Sequence, residues 1–261
     1  MTPAAASRGG TLEERIVGSR ILPPFFPLGG AERVLNVGCG EGPQSVAYRD
    51  RFASMVCADL DEERLRFARH ALRQRGVGRI AVLRCDAADL PFPSETFDAA
   101  LAIDLLEHLA DPDRALREVA RVLRPGGRLL ASFPLLFDFY EHVLERAARL
   151  RARLLRRRRR IPTVAPWDRH RQERSAREWI LSFSQNGFRI ERMRASTLFP
   201  PLQLLGVRRF WIELGALRRF DAALCALPAL RLLGQAMLVA CRKGTEAAPT
   251  EPGLARSRGP G

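Results

Sequence analysis

One stretch constrains this chain more than any other: Val34-Leu35-Asn36-Val37-Gly38-Cys39-Gly40-Glu41-Gly42. Its apolar part is short, β-branched and bounded by a breaker, so it reads as a buried strand running into a tight Gly-rich turn. Glycine has no Cβ to clash and tolerates positive φ, so such a turn lets backbone approach a ligand closely. An ordinary glycine turn fits the same description, and only context separates the two.

That context lies downstream. A helix starts near Pro43, and Ser54-Met55-Val56-Cys57-Ala58-Asp59 reads as a second apolar strand ending in an acid. Asp59 lies 21 residues beyond Gly38. In a strand-helix-strand unit this spacing puts the carboxylate at the end of the neighbouring strand, where it can accept hydrogen bonds from ribose hydroxyls. The alternative role is a cap for the helix expected over 62–75, which Gly76 ends; Asp61 suffices as that cap and leaves Asp59 for a ligand. Residues 79–84 are a third expected strand, closed by Cys85-Asp86-Ala87, and 97–104 a fourth with Asp104 at its end. Asp111-Pro112 is a helix start, with Asp as cap and Pro in the first turn. The helix expected over 113–123 stops at Pro125-Gly126-Gly127, and a fifth strand follows over 128–133. Alternating strands and helices imply a parallel sheet with helices on both faces and ligands outside the strands' carboxyl ends. Residues 38–42, Asp59, Asp86 and Asp104 then fall along one rim, which a lone glycine turn does not explain.

At 261 residues the chain can hold one α/β domain of ordinary size, expected over 11–243. Residues 1–10 and 244–261 are expected to be disordered tails. Thr11-Leu12-Glu13-Glu14 fits a capping box for a short helix, and Pro23-Pro24 with Gly29-Gly30 force a turn before the first strand. Five scattered cysteines without a CxxC pair, and no secretory leader before them, argue against a disulfide framework or structural zinc and for a reducing cytosol. The net charge is +14, yet residues 1–127 carry 17 Arg against 18 Asp+Glu, and residues 128–261 carry 26 Lys+Arg against 11 Asp+Glu. A partner chosen by charge therefore meets the second half; the other reading is that the arginines are simply solvated.

With these residues in this order, the chain resembles the class I S-adenosylmethionine-dependent methyltransferases, particularly the bacterial group acting on small molecules and lipid-linked acceptors. The carriers are the Val34 to Gly42 run, Ala58-Asp59, Cys85-Asp86-Ala87, Phe97-Asp98 with Leu106-Glu107-His108-Leu109, and Arg121-Val122-Leu123-Arg124-Pro125-Gly126-Gly127. The resemblance implies a Rossmann-like, seven-stranded, mostly parallel sheet with helices on both faces and its last strand antiparallel. It implies that Gly38, Cys39, Gly40 and Gly42 hold the methionyl part of S-adenosylmethionine. Asp59, with Leu60 beside it, would bind the ribose, Asp86 the adenine amino group with Ala87 beside the ring, and Ile103 and Asp104 would line the donor pocket. The family usually has an acid where this chain has Asn36, which offers an acceptor without charge. A dehydrogenase fits less well, because the loop lacks the third glycine of Gly-x-Gly-x-x-Gly.

Methyl transfer is an in-line displacement, so alignment supplies much of the rate and a base is needed only when the acceptor must lose a proton. His108 follows the fourth strand at the rim, and an imidazole there is a candidate base; the alternatives are that Glu107-His108 is a structural motif or that His108 only binds substrate by shaping the acceptor pocket. Residues 134–175 read as a basic helical region that selects the acceptor, since loops after rim strands are where sites vary. The helix expected over 141–160 has an apolar stripe and ends in five arginines at 156–160. Such a helix can lie on an anionic membrane or contact phosphates, or be a solvated cover. Aromatics are not interleaved with the arginines, which lowers nucleic acid as a partner. The resemblance makes His170 and Arg171 candidates for binding or deprotonating the acceptor. Ser175-Ala176-Arg177-Glu178 is a capping box for a helix ended by Asn186-Gly187. Residues 188–194 and 235–241 are the last two strands, with a helical insertion over 195–234. Ala222 to Cys241 is long enough to raise a membrane span, but Pro228 and Arg231 interrupt it. These readings predict a cytoplasmic enzyme, at most peripheral to a membrane, that methylates a hydrophobic or lipid-linked small molecule at oxygen. RNA methylation through the arginine run and a non-catalytic cofactor-binding scaffold are the competing functions.

Overall fold

The computed structural model describes residues 22–135, 146, 172, 174–196, 215–227, 230, 234 and 236–244. The tails, the capping box at Thr11, most of 134–175 with the 156–160 arginines, His170 and Arg171, and much of 195–234 lie outside them.

Seven strands form one sheet: β1 (Arg33–Val37), β2 (Ser54–Asp59), β3 (Ile80–Arg84), β4 (Phe97–Ala102), β5 (Leu123–Pro134), β6 (Phe188–Ala195) and β7 (Ala236–Lys243). Their order is β3-β2-β1-β4-β5-β7-β6, and β7 runs antiparallel to both β5 and β6. The helices given bounds among the described residues are α1 (Leu22–Phe25), α2 (Pro43–Ala47), α3 (Glu62–Gln74), α4 (Pro112–Val122), α5 (Ala176–Gln185) and α6 (Gly215–Ala226), with a 3-10 turn at Leu106–His108. This is the architecture expected from the sequence. The chain walks from β1 outward to β3, then returns to β4 on the other side of β1. The resulting switch point between β1 and β4 is where an open parallel sheet leaves a crevice at its carboxyl rim.

Period-two alternation sends successive side chains to opposite faces, and both faces are buried. Leu35 and Val37 of β1 join one core with Leu116, Val119, Phe133, Trp179 and Phe183. Val34 joins the other with Tyr48, Met55, Leu65 and Leu72. Phe133 stacks on Trp179 with ring centroids 5.8 Å apart, which fixes α5 over β5.

The local signals acted as their chemistry requires. Asp61 caps α3 by accepting from Glu63 N and Arg64 N, Asp111 caps α4 through Arg114 N, and Ser175 and Glu178 form the capping box of α5. Pro23-Pro24 differs from expectation: it sits inside α1, where the missing N–H groups of a first turn need no partner. The Pro125-Gly126-Gly127 stop also differs. Strand β5 begins at Leu123, paired with Phe97, and ladder pairing resumes at Arg128 with Ala99, so the breakers form an irregular excursion within the strand, with Gly126 at φ +71°. Strand β4 ends at Ala102, before Asp104. Helix α6 ends at Ala226 and β7 starts at Ala236, and no helix among the described residues is long and apolar enough to cross a membrane.

A polar cluster joins α4 to α5. Asp113 accepts from Arg174 Nη2 (2.7 Å), from Asn186 Nδ2 (2.9 Å) and from Ser182 Oγ, while Arg174 lies over the Trp179 ring. Burial opposes ionisation of Asp113, but the Arg174 and Ser182 hydrogen bonds prevail and hold its carboxyl below the ordinary value. A depressed folded value means stabilisation that is present above the unfolded value and lost as pH falls through the folded one. Asp113→Asn is therefore expected to cost about 1–2 kcal/mol at pH 7 and progressively less as the pH falls below the ordinary carboxylate value. Urea melts of both proteins from pH 7 downward test this, and a gap that does not narrow would refute it.

Candidate functional site

Because β1, β2, β3, β4 and β5 are parallel, their carboxyl ends share one rim. The loop after β1 lies at its centre. Gly38, Gly40 and Gly42 have φ of +63°, +51° and +85°. Backbone conformation is what requires glycine at position 38; a Cβ there would also stand 2.6 Å from Leu105 Cδ1, so that side chain of the loop after β4 would have to shift. Cys39 N donates to Ala58 O (3.0 Å) and Gly42 N to Cys39 O (2.8 Å), closing the turn onto β2.

Asp59 is not left free by the capping role of Asp61. Its Oδ2 accepts from Gly40 N (2.8 Å) and its Oδ1 from Asp61 N (2.9 Å). The carboxylate thus ties the glycine loop to β2, and each oxygen keeps lone-pair capacity for a further donor. Leu60, next to it, is exposed. Past β3, Asp86 Oδ1 accepts from Ala88 N (2.9 Å), forming a turn that leaves its carboxylate exposed, and Ala87 beneath it is buried. Past β4, Ile103 is buried and Asp104 is exposed, with φ +50°. Ser132 of β5 holds it, Asp104 N donating to Ser132 Oγ (2.7 Å) and Ser132 Oγ donating to Asp104 Oδ1 (2.6 Å).

Asn36 lies below this rim rather than on it. It is fully buried, its Nδ2 donates to Ser45 Oγ (2.9 Å), and its Oδ1 has no hydrogen-bond partner among the described residues. Neither Cys39 nor Cys85 is an activated thiol. A hydrogen bond with Cys57, together with burial, pushes the Cys39 thiol far above its ordinary value. Burial, then the Asp86 and Asp59 charges, push Cys85 up to about 11.

His108 sits half-buried in the 3-10 turn after β4. That turn is held from the far side of the chain: Gln172 N donates to Glu107 O (3.1 Å), and Gln172 Nε2 to Leu109 O and Ala110 O (3.0 Å each). Leu105, Ser132 and Gln172 escaped the sequence reading. Each acts through a contact between distant segments and carries no local signal of it.

Comparison with known proteins agrees with this geometry. Residues 35–131 match the family described as "Methyltransferase domain". Methyltransferase GfsG of Streptomyces halstedii is 40% identical over 99 residues, covering 37% of this chain and 36% of that protein. The ubiquinone/menaquinone biosynthesis C-methyltransferase UbiE of Idiomarina loihiensis is 34% identical over 121 residues, covering 41% and 48%. The chain thus spans between about a third and a half of the length of these curated relatives. A SAM-dependent methyltransferase of Methanosarcina mazei has a similar fold, with TM-score 0.57 at 19% identity over 87% of this chain and all of that one. Over residues 35–131 the chain is thus similar to methyltransferase domains, and its fold is similar to that of proteins that use S-adenosylmethionine as methyl donor.

The residues fit that cofactor. The glycine loop presents backbone where a side chain at Gly38 would collide, Asp59 retains acceptor capacity between loop and β2, and Asp86 presents its carboxylate in the open. No group of three or more metal-ligating side chains occurs among the described residues.

Proposed function

We propose that this protein transfers a methyl group from S-adenosylmethionine to a small hydrophobic acceptor, a hydroxylated ring methylated at oxygen. The observation that carries the reading is the tie between Gly40 N and the Asp59 carboxylate, which welds the glycine loop and the ribose-side acid into one preformed cradle at the β1/β4 switch point. In this reading residues 38–42 hold the methionyl part, Asp59 and Leu60 the ribose, Asp86 and Ala87 the adenine, and Ile103 and Asp104 the wall of the donor pocket. The bound cofactor supplies an electrophilic methyl on a positively charged sulfur. The chain's task is to align an acceptor lone pair with it and to exclude water.

His108, on the turn after β4, takes the acceptor's hydroxyl proton. That leaves the oxygen lone pair free to take the methyl that the cofactor, held by residues 38–42 and Asp59, would supply. Methylation at ring carbon is a second reading, favoured by the C-methyltransferases among the relatives; it shares the proton-removal step, since a phenolate is nucleophilic at both oxygen and neighbouring carbon.

An untargeted assay with methyl-labelled S-adenosylmethionine on cell extract, followed by NMR of the labelled product, tests the reading. A labelled small molecule is expected, with the methyl resonance reporting attachment to O or C. Label in RNA alone, or in nothing, would refute it. On the identified acceptor, His108→Gln is expected to lower kcat by about 100-fold or more; an unaltered kcat would remove the base from His108.

A further inference from the structure

Between β3 and β4 the chain has no long helix, only the loop through Asp86, Ala87, Leu90 and Phe92. An irregular loop carrying a binding residue needs its backbone groups satisfied, and here side chains of one helix do so. Arg121 of α4 donates from Nη1 to Phe92 O (2.8 Å) and from Nη2 to Leu90 O (2.9 Å). Its neighbour one turn back, Glu118, accepts from Leu90 N (2.9 Å). The two side chains are themselves paired, Arg121 Nε to Glu118 Oε1 and Nη2 to Glu118 Oε2, both 2.8 Å. Leu90 is thereby held at both its N–H and its C=O, as a strand residue would be by a neighbouring strand. Both residues are partly buried, and the pair is held by two short charge-assisted hydrogen bonds. Leu90 is buried, and Phe92 packs edge-on to Phe97 with centroids 5.1 Å apart, so side-chain packing and the ionic clasp fix the same segment. Upstream, Asp89 N bonds Asp86 O (3.1 Å) and Ala88 N bonds Asp86 Oδ1. The clasp on Leu90 therefore adjoins the turn that aims the Asp86 carboxylate.

We propose that Glu118 and Arg121 are positioning residues for adenine recognition: the pair acts as a surrogate strand for Leu90 and Phe92 and so sets where Asp86 meets the adenine amino group. The proposal rests on the adenine role given to Asp86 above. It goes beyond that role in making base discrimination depend on a pair that does not touch the cofactor. The fork geometry of Arg is required, because Lys cannot reach two carbonyls and both carboxylate oxygens in one plane.

The test measures dissociation constants of S-adenosylhomocysteine and of its deaminated counterpart S-inosylhomocysteine by calorimetry, each pair on one preparation of the full chain. Their ratio is insensitive to the fraction of protein that is folded, so general destabilisation does not move it. The wild type is expected to prefer the amino form by about tenfold or more, the value of one hydrogen bond to a charged acceptor. Asp86→Ala should bring the ratio near one. Arg121→Met and Arg121→Lys should each reduce it at least about threefold, and Glu118→Gln should move it the same way. If Asp86→Ala collapses the ratio while both Arg121 variants keep the wild-type value, the positioning role is wrong and the adenine role stands. If Asp86→Ala itself keeps the wild-type ratio, the adenine role is wrong and the positioning proposal falls with it.

Discussion

Replacing Asp59 by Ala is expected to weaken S-adenosylmethionine binding by about 100-fold or more, with the circular dichroism spectrum unchanged. Two hydrogen bonds from ribose hydroxyls to a charged acceptor are worth about 3 kcal/mol together at the low end of the usual range, which is a factor of about 150. The same substitution removes the partner of Gly40 N, so the glycine loop also loses its tie to β2. Asp59→Asn separates the two effects. An amide oxygen can keep the loop bond but not the charge, so an intermediate loss of roughly tenfold is expected. Calorimetric titration of both variants is decisive: wild-type affinity in Asp59→Ala would remove Asp59 from the site.

The second large effect is at Gly38. Gly38→Ala combines a left-handed backbone at φ +63° with a Cβ placed 2.6 Å from Leu105 Cδ1 and 3.0 Å from Leu105 Cγ. Strain of a non-glycine residue in this region costs about 1–2 kcal/mol, and the collision adds up to about 1 kcal/mol, because Leu105 is only partly buried and its side chain can shift. A loss of about 1–3 kcal/mol in urea-measured stability is expected, together with loss of cofactor binding. Adding Leu105→Ala in the same chain should remove the collision but leave the backbone strain, so the smaller part of the stability returns. Gly40→Ala is a control, since its Cβ would meet nothing nearer than Arg64 Nη1 at 3.7 Å. It should cost the strain alone. Wild-type stability in Gly38→Ala would show that the loop adjusts freely and is not the rigid cradle described above.

Much of this architecture is written locally. The β-branched run before Gly38, the caps at Asp61, Asp111 and Ser175, and the acids at the strand ends each depend on neighbours within a few residues, and each lies where that local chemistry requires. The β1–β4 adjacency is what turns those strand ends into a site. Strand pairing is a choice among distant segments of similar apolar character, so spacing along the chain suggests it and only packing settles it. The two misread turns have the same origin. Pro23-Pro24 begins a helix because Phe25 and Phe26 are buried in the core, and Pro125-Gly126-Gly127 stays within β5 because Leu123 already pairs with Phe97.

At the rim, the sequence by itself determined which residue types stand at the carboxyl ends: glycines whose missing Cβ permits close approach, and acids that can accept from a ribose and an amino group. The tertiary structure alone decided what holds them. Asp59 is shared between the loop and β2, Asp104 is fixed by Ser132, the turn of His108 is held by Gln172, and the Asp86 loop is clasped by Glu118 and Arg121. Except for the Glu118–Arg121 pair itself, these hydrogen bonds join groups 19 to 65 positions apart. A bond of that span is set by where the sheet brings its strands, so a local pattern can supply its ends but not their meeting.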